Sequence, residues 1–78
     1  MFFAYILKLK NGQHYIGFTH DLEQRLRKHQ NNAVPTTRRI KPDKLIFFAA
    51  FQTKEKALAF EQYLKSSSGF AFRNKRLI

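Results

Sequence analysis

The sequence predicts an α/β (α+β) fold, a small sheet covered by helices. Three observations carry that reading. An Asn11-Gly12 pair separates two short apolar and aromatic segments. An unbroken apolar run of strand length, Leu45-Ile46-Phe47-Phe48-Ala49-Ala50-Phe51, appears later in the chain. Two further segments place apolar residues at helical spacing. Strand, strand, helix, strand, helix is an order that gives a sheet with helices packed on it. At 78 residues there is room for one domain, residues 1–78.

Each element has a local reason. Residues 3–10 read as the first strand, and residues 13–19, with Tyr15, Ile16 and Phe18, as the returning one. Asn-Gly favours positive φ at both centres of a two-residue hairpin turn. Such a turn pairs Tyr5 near Phe18 and Tyr15 with Lys8, leaving the two tyrosines diagonal neighbours in the sheet. Asp21 is the expected N-cap of a helix from Leu22 to about Asn31. Its inward stripe holds Leu22 and Leu26 together with Arg25 and His29. Residues 32–44 read as a loop broken by Pro35 and Pro42. The apolar run from Leu45 to Phe51 suits a central strand buried on both faces. Thr53 can cap a helix whose stripe is Ala57, Phe60 and Leu64, and residues 66–69, Ser-Ser-Ser-Gly, end it. The tail, residues 70–78, mixes aromatic and basic residues as a short helix or extended cap.

Composition bounds the function. Fifteen Lys and Arg against five Asp and Glu give +10, which makes nucleic acid the first expected partner. A merely basic, solvated surface accounts for the same charge. The basic clusters are Arg38, Arg39 and Lys41 in the loop, and Arg73, Lys75 and Arg76 in the tail. At 44% apolar with nine Phe, the chain is no disordered basic arm. It has no cysteine, which excludes thiolate and disulfide chemistry. No apolar run reaches the roughly 20 residues of a membrane span. Residues 1–7 lack the charge pattern of a secretory signal, so a cytoplasmic location without membrane contact is expected.

Glu61 is the anomaly among the acids. It lies four residues after Ala57 and three before Leu64, in the middle of an apolar stripe. A carboxylate there needs a metal, a local cation, or an edge position from which it reaches solvent. Arg25 and His29 are either site residues or amphipathic side chains at the helix edge. Tyr5 and Tyr15 have packing as their ordinary role. His14 and His20 show no metal-ligand spacing and read as surface or turn residues.

Taken together, these residues resemble the GIY-YIG nuclease domain in a short stand-alone form. Ala4-Tyr5-Ile6 stands at the first motif and Tyr15-Ile16-Gly17 at the second, followed by Thr19, Asp21-Leu22, Arg25-Leu26 and His29. Ala57, Glu61 and Lys65 match the acidic helix, so the resemblance covers essentially the whole chain. It implies a three-stranded antiparallel sheet flanked by helices, and endonuclease activity on DNA. It implies catalytic roles for Tyr5, Tyr15, Arg25, His29 and Glu61, with Glu61 as the Mg²⁺ or Mn²⁺ ligand. Asn74 falls where many members carry a tail asparagine. Ala4 replaces a usual lead glycine, and Phe18 stands where some members have a lysine. Members commonly take target choice from an attached domain, which leaves open branched, nicked or single-stranded DNA, and a protein partner for targeting. A catalytically silent nucleic-acid-binding module and a partner-dependent nuclease subunit are the alternatives.

The implied chemistry is phosphodiester hydrolysis. One glutamate is an adequate Mg²⁺ ligand, because that ion keeps several waters. Arg25 offers a permanently charged fork to the developing phosphorane. A tyrosine, Tyr5 first and Tyr15 or His29 next, takes the proton from water. An unperturbed phenol sits at about 10, so nearby cations are expected to lower it.

Overall fold

The structure, a computed structural model, describes residues 1–31 and 40–77. Its elements are β1 (Phe2–Leu9), β2 (His14–Thr19), α1 (Leu22–Gln30), β3 (Pro42–Phe51), α2 (Lys54–Lys65) and α3 (Ser67–Arg76). The sheet is antiparallel throughout, in the order β2-β1-β3.

The hairpin differs from the two-residue turn the sequence predicts. Leu9 N–H donates to Gln13 O at 2.8 Å and Gly12 N–H to Leu9 O at 3.0 Å, so Lys10, Asn11 and Gly12 form a three-residue loop. Gly12 has positive φ, at 88°, the left-handed residue that this longer loop requires. The register therefore moves by one residue. Tyr5 faces Gly17, Leu7 faces Tyr15, and Lys8 faces His14. Because side chains alternate with period two, that single step decides the faces. The two-residue turn would have put the tyrosines on opposite faces; the observed loop puts them on the same one.

The odd-numbered residues of β1 build one core. Tyr5, Leu7 and Leu9 pack with Tyr15, and with Leu22 and Leu26 of α1, Ile40 and Leu45. The even-numbered residues build the other, where Ile6, Ile16 and Leu64 pack with Ile46, Phe47, Phe60 and Leu77. Burying a side chain the size of Ile6 contributes about 1.5–3 kcal/mol, so β1, covered on both faces, anchors the domain.

β3 is an edge strand, not the central strand that its apolar run predicts. β1 holds the centre and pairs on both sides, while Phe48 of β3 is 49% exposed. Phe47 and Phe51 turn toward Phe60 of α2, and Phe48 turns to the other face against Phe3. Run length alone does not tell a doubly covered strand from an edge strand with one well-covered face. β3 also begins at Pro42, inside the expected loop. A first position on an edge strand suits a residue without an N–H.

The helix starts follow their caps. Asp21 Oδ1 accepts from Gln24 N–H at 3.0 Å, and Thr53 Oγ1 accepts from Lys56 N–H at 3.3 Å. Ser66 ends α2 and starts α3: its hydroxyl donates to Tyr63 O at 2.6 Å and accepts from Gly69 N–H at 3.1 Å. The expected terminator is thus a hinge between two helices. Gly69 belongs to the first turn of α3, where a Cβ would meet the Tyr63 carbonyl. Among the described residues no helix is long and apolar enough to cross a membrane.

Candidate active site

Three rings meet on the α1 face of the sheet. Tyr5 comes from the centre of β1, Tyr15 from β2, and His29 from the last turn of α1. Ring centroids lie 4.9 Å apart for Tyr15 and His29, 5.8 Å for Tyr5 and His29, and 6.2 Å for Tyr5 and Tyr15. The Tyr5 hydroxyl is 2.8 Å from Nε2 of His29. Tyr5 is 0% exposed and His29 1%, whereas Tyr15 is only half-buried.

Protonation states follow from that burial. Desolvation raises the Tyr5 phenol well above its ordinary value of 10; the neighbouring Tyr15 and the Glu61 charge add to the rise, and Arg25 opposes it. Burial, reinforced by the Arg25 charge, pushes His29 down to about 4. At neutral pH both are therefore uncharged. Two neutral groups, a phenol and an imidazole, therefore share the 2.8 Å hydrogen bond, and the imidazole tautomer sets which of them donates. The expected lowering of Tyr5 by cations is overturned, because desolvation outweighs the Arg25 charge.

Arg25 and Glu61 approach this cluster from two helices. Arg25 lies one turn before His29 on α1 and is half-buried. Glu61 lies on α2, with its side chain 12% exposed, and its Oε2 accepts from Lys65 Nζ at 3.2 Å. Both charges act on the Tyr5 phenol. The structure thus brings Tyr5, Tyr15 and His29 into contact, with the Arg25 charge acting on Tyr5 and His29 and the Glu61 charge on Tyr5. Among the described residues no three His, Cys, Asp or Glu side chains converge as a metal cage. Glu61 fits a hard cation differently. It is one carboxylate, held by an exposed lysine that can swing away, and Mg²⁺ takes its remaining ligands from water and substrate phosphate.

Of the expected DNA-contacting residues, Arg38 and Arg39 lie outside the described residues. Lys41 is exposed beside the hairpin, and its carbonyl accepts from Lys10 N–H at 2.8 Å. Arg73, Asn74, Lys75 and Arg76 sit in the last turns of α3, all exposed but Arg73. Phe18, in place of a lysine, stacks on Phe2 at 6.3 Å and is part of the packing. His14 is not a turn residue: it opens β2, is half-buried, and lines a cleft with Arg73. Its signal in the sequence was alternation with Ile16, which places it on the α2–α3 face.

Comparison with known proteins shows the family and the fold. The family model of the GIY-YIG catalytic domain matches residues 1–76. A UPF0213 protein of Clostridium perfringens is 37% identical over 78 residues, covering 99% of this chain and 80% of that protein. The UPF0213 protein YazA of Bacillus subtilis is 36% identical over 64 residues, 81% of this chain and 65% of that protein. This chain thus spans somewhat under two thirds of that relative's length. The solution NMR structure of a UPF0213 protein from Bacillus halodurans superposes with a TM-score of 0.59 at 30% identity, covering 99% of this chain and 87% of that one.

Proposed function

Because the chain belongs to the GIY-YIG catalytic domain family, a family of nucleases, we propose that it is a metal-dependent endonuclease that hydrolyses phosphodiester bonds in DNA. The observation that carries this reading is the Tyr5–His29–Tyr15 cluster with the Arg25 and Glu61 charges acting on it. Packing alone does not require a hydrogen-bonded phenol and imidazole in the core, flanked by one cation and one anion.

Exposure divides the roles. Tyr5 and His29 are closed to solvent and uncharged, so their hydrogen bond fixes the cluster. Tyr15 is the open member. As a phenolate it takes the proton from a water whose oxygen attacks phosphorus, while the bond to the leaving oxygen breaks and that oxygen is protonated from solvent. The face-to-edge contact with His29 at 4.9 Å holds the Tyr15 ring in place. Arg25 places permanent charge against the phosphoryl oxygens as negative charge grows there. Glu61 would hold the Mg²⁺ or Mn²⁺, which when bound supplies charge to the phosphate and the leaving oxygen.

A nicking assay on branched, nicked and single-stranded DNA tests the reading. Product in Mg²⁺ that is abolished by chelator supports it. Tight binding without product on every substrate would make the domain a silent binding module. Product only when a second protein is added would make it a partner-dependent subunit.

A further inference from the structure

We propose that the cleft between the start of β2 and α3 is a second phosphate-binding site, built by His14, Arg73 and Asn74 on the face of the sheet away from Tyr5 and His29. The cleft, about 450 Å³, is lined by Gln13, His14, Phe70, Arg73 and Asn74. Among the described residues that lining contains no carboxylate. Lys8 and His14 face each other across the hairpin, on the same side as Ile6 and Ile16. Three basic groups, Lys8 of β1, His14 of β2 and Arg73 of α3, therefore converge, and the charges of Arg73 and Lys8 add to burial in pushing His14 down.

Arg73 is the anchor. Its guanidinium carbon lies 4.7 Å from the Phe70 ring centroid, a cation–π contact that orients the group. Its Nε is buried and has no hydrogen-bond partner among the described residues. The two described ion pairs, Arg27–Glu23 and Lys65–Glu61, lie on other helices. A planar fork with no carboxylate paired to it among the described residues, beside an imidazole and an amide, matches a tetrahedral oxyanion with several acceptor oxygens. The basic tail thus resolves into two parts: Arg73 and Asn74 line the cleft, and Lys75 and Arg76 do not.

Position supplies the source of the phosphate. Successive residues of β2 point to opposite faces, so His14 and Tyr15 stand back to back on an edge strand. A nucleic-acid strand passing over that edge presents one phosphate to the cleft and another to the Tyr15 side. This assignment of the source rests on the nuclease reading; the phosphate site itself does not.

NMR on the intact chain, in chelator so that nothing turns over, tests both parts. The ligands are inorganic phosphate and a short thymidine oligonucleotide without terminal phosphates. We expect each to raise the His14 ring titration by about one unit and to shift the Asn74 amide, with the His20 ring unmoved. Arg73→Gln should abolish the response, and Tyr5→Phe should retain it. Should Arg73→Gln fail to fold, His14→Gln serves instead, read at the Asn74 amide. No movement of His14, equal movement of His20, or a response that survives in folded Arg73→Gln would overturn the site. A response to phosphate but not to the oligonucleotide would overturn the nucleic-acid source. In cleavage, Arg73→Gln should raise KM roughly tenfold with kcat retained, the signature of binding shared by ground and transition states. A protein that cleaves nothing can still show the His14 response, so failure of one reading is separable from failure of the other.

Discussion

Gly17 stands opposite Tyr5 in the hairpin, and the Tyr5 ring fills the space that a side chain at position 17 would occupy. A β carbon at that position would overlap Cζ and the hydroxyl oxygen of Tyr5. The glycine is demanded by the ring, since its backbone is ordinary strand. Without a side chain opposite, Tyr5 lies flat over β2 and carries its hydroxyl to His29 at 2.8 Å. The glycine of Tyr15-Ile16-Gly17 and the tyrosine of Ala4-Tyr5-Ile6 are thus one structural unit.

Gly17→Ala tests that unit. One added methyl forces the ring or the strand to shift, an overpacking cost of about 1–3 kcal/mol. Melting should fall by several degrees for each kcal/mol in a domain of this size. Cleavage should fall further than stability accounts for, because the Tyr5–His29 bond is displaced. A Gly17→Ala variant with parental melting and parental rate would show that the ring moves aside freely.

His29 should make stability depend on acid. The unfolded imidazole takes a proton near 6.5, while the folded one resists until about 4. Between those values the unfolded chain binds more protons, so stability rises with pH and falls as pH drops from 6.5 toward 4. The full window amounts to about 3 kcal/mol at most. Denaturant titrations at steps across it, on the parent and on His29→Gln, give the comparison; equal slopes in the two proteins would remove His29 as the cause. His14, also lowered, contributes in the same direction and is common to both.

Glu61→Gln should abolish metal-dependent cleavage and leave the fold intact. The pair it breaks joins side chains 12% and 48% exposed within one helix, worth under about 1 kcal/mol. Circular dichroism and melting check the fold, and nicking in Mg²⁺ checks the activity. Unfolding would make Glu61 a structural ion-pair partner of Lys65. Unchanged cleavage would place the metal elsewhere.

Binding to DNA should weaken steeply with salt. A net charge of +10 allows several phosphate contacts, each releasing counterions. For six to ten contacts the loss is roughly a thousandfold or more between about 50 and 200 mM salt. Fluorescence anisotropy with an unstructured oligonucleotide measures it. A flat response would remove the electrostatic basis of binding.

Local chemistry made the elements readable, and the exceptions are tertiary. Asp21 and Thr53 were legible as caps because capping is a contact between near neighbours in the chain. Register was not, since Asn11-Gly12 serves a two- or a three-residue loop and the choice depends on which face the tyrosines must share. The place of β3 at the edge depends on what covers each face, which the run from Leu45 to Phe51 does not encode. Tyr5, Tyr15, Arg25, His29 and Glu61 could be singled out as polar or charged residues among apolar ones. Their electrostatics could not: burial, a property of the assembled core, reversed the expected direction at Tyr5. The place of His14 beside the Arg73 cleft was not legible, because α3, which carries Arg73, lies far along the chain.

The last prediction assigns the proton. If Tyr15 is the base, Tyr15→Phe should cost orders of magnitude in rate and flatten the climb of rate with pH, because a phenol accepts a proton only as its phenolate. Tyr5→Phe removes the hydrogen bond to Nε2 of His29, a buried contact whose loss costs about 1–3 kcal/mol of stability. It should lower the rate by loosening the cluster and yet keep the parental pH slope. Arg25→Ala should cost at least as much rate as Tyr15→Phe, since growing charge on the phosphoryl oxygens is left uncompensated. Single-turnover rates from about pH 6 to 9 on the three variants, each checked for folding, separate the roles. A flattened slope in Tyr5→Phe with the slope kept in Tyr15→Phe would move the base to Tyr5. That outcome requires the 0% exposed ring to open to water when DNA binds, which faster hydrogen exchange at the β1–β2 amides in the DNA complex would reveal.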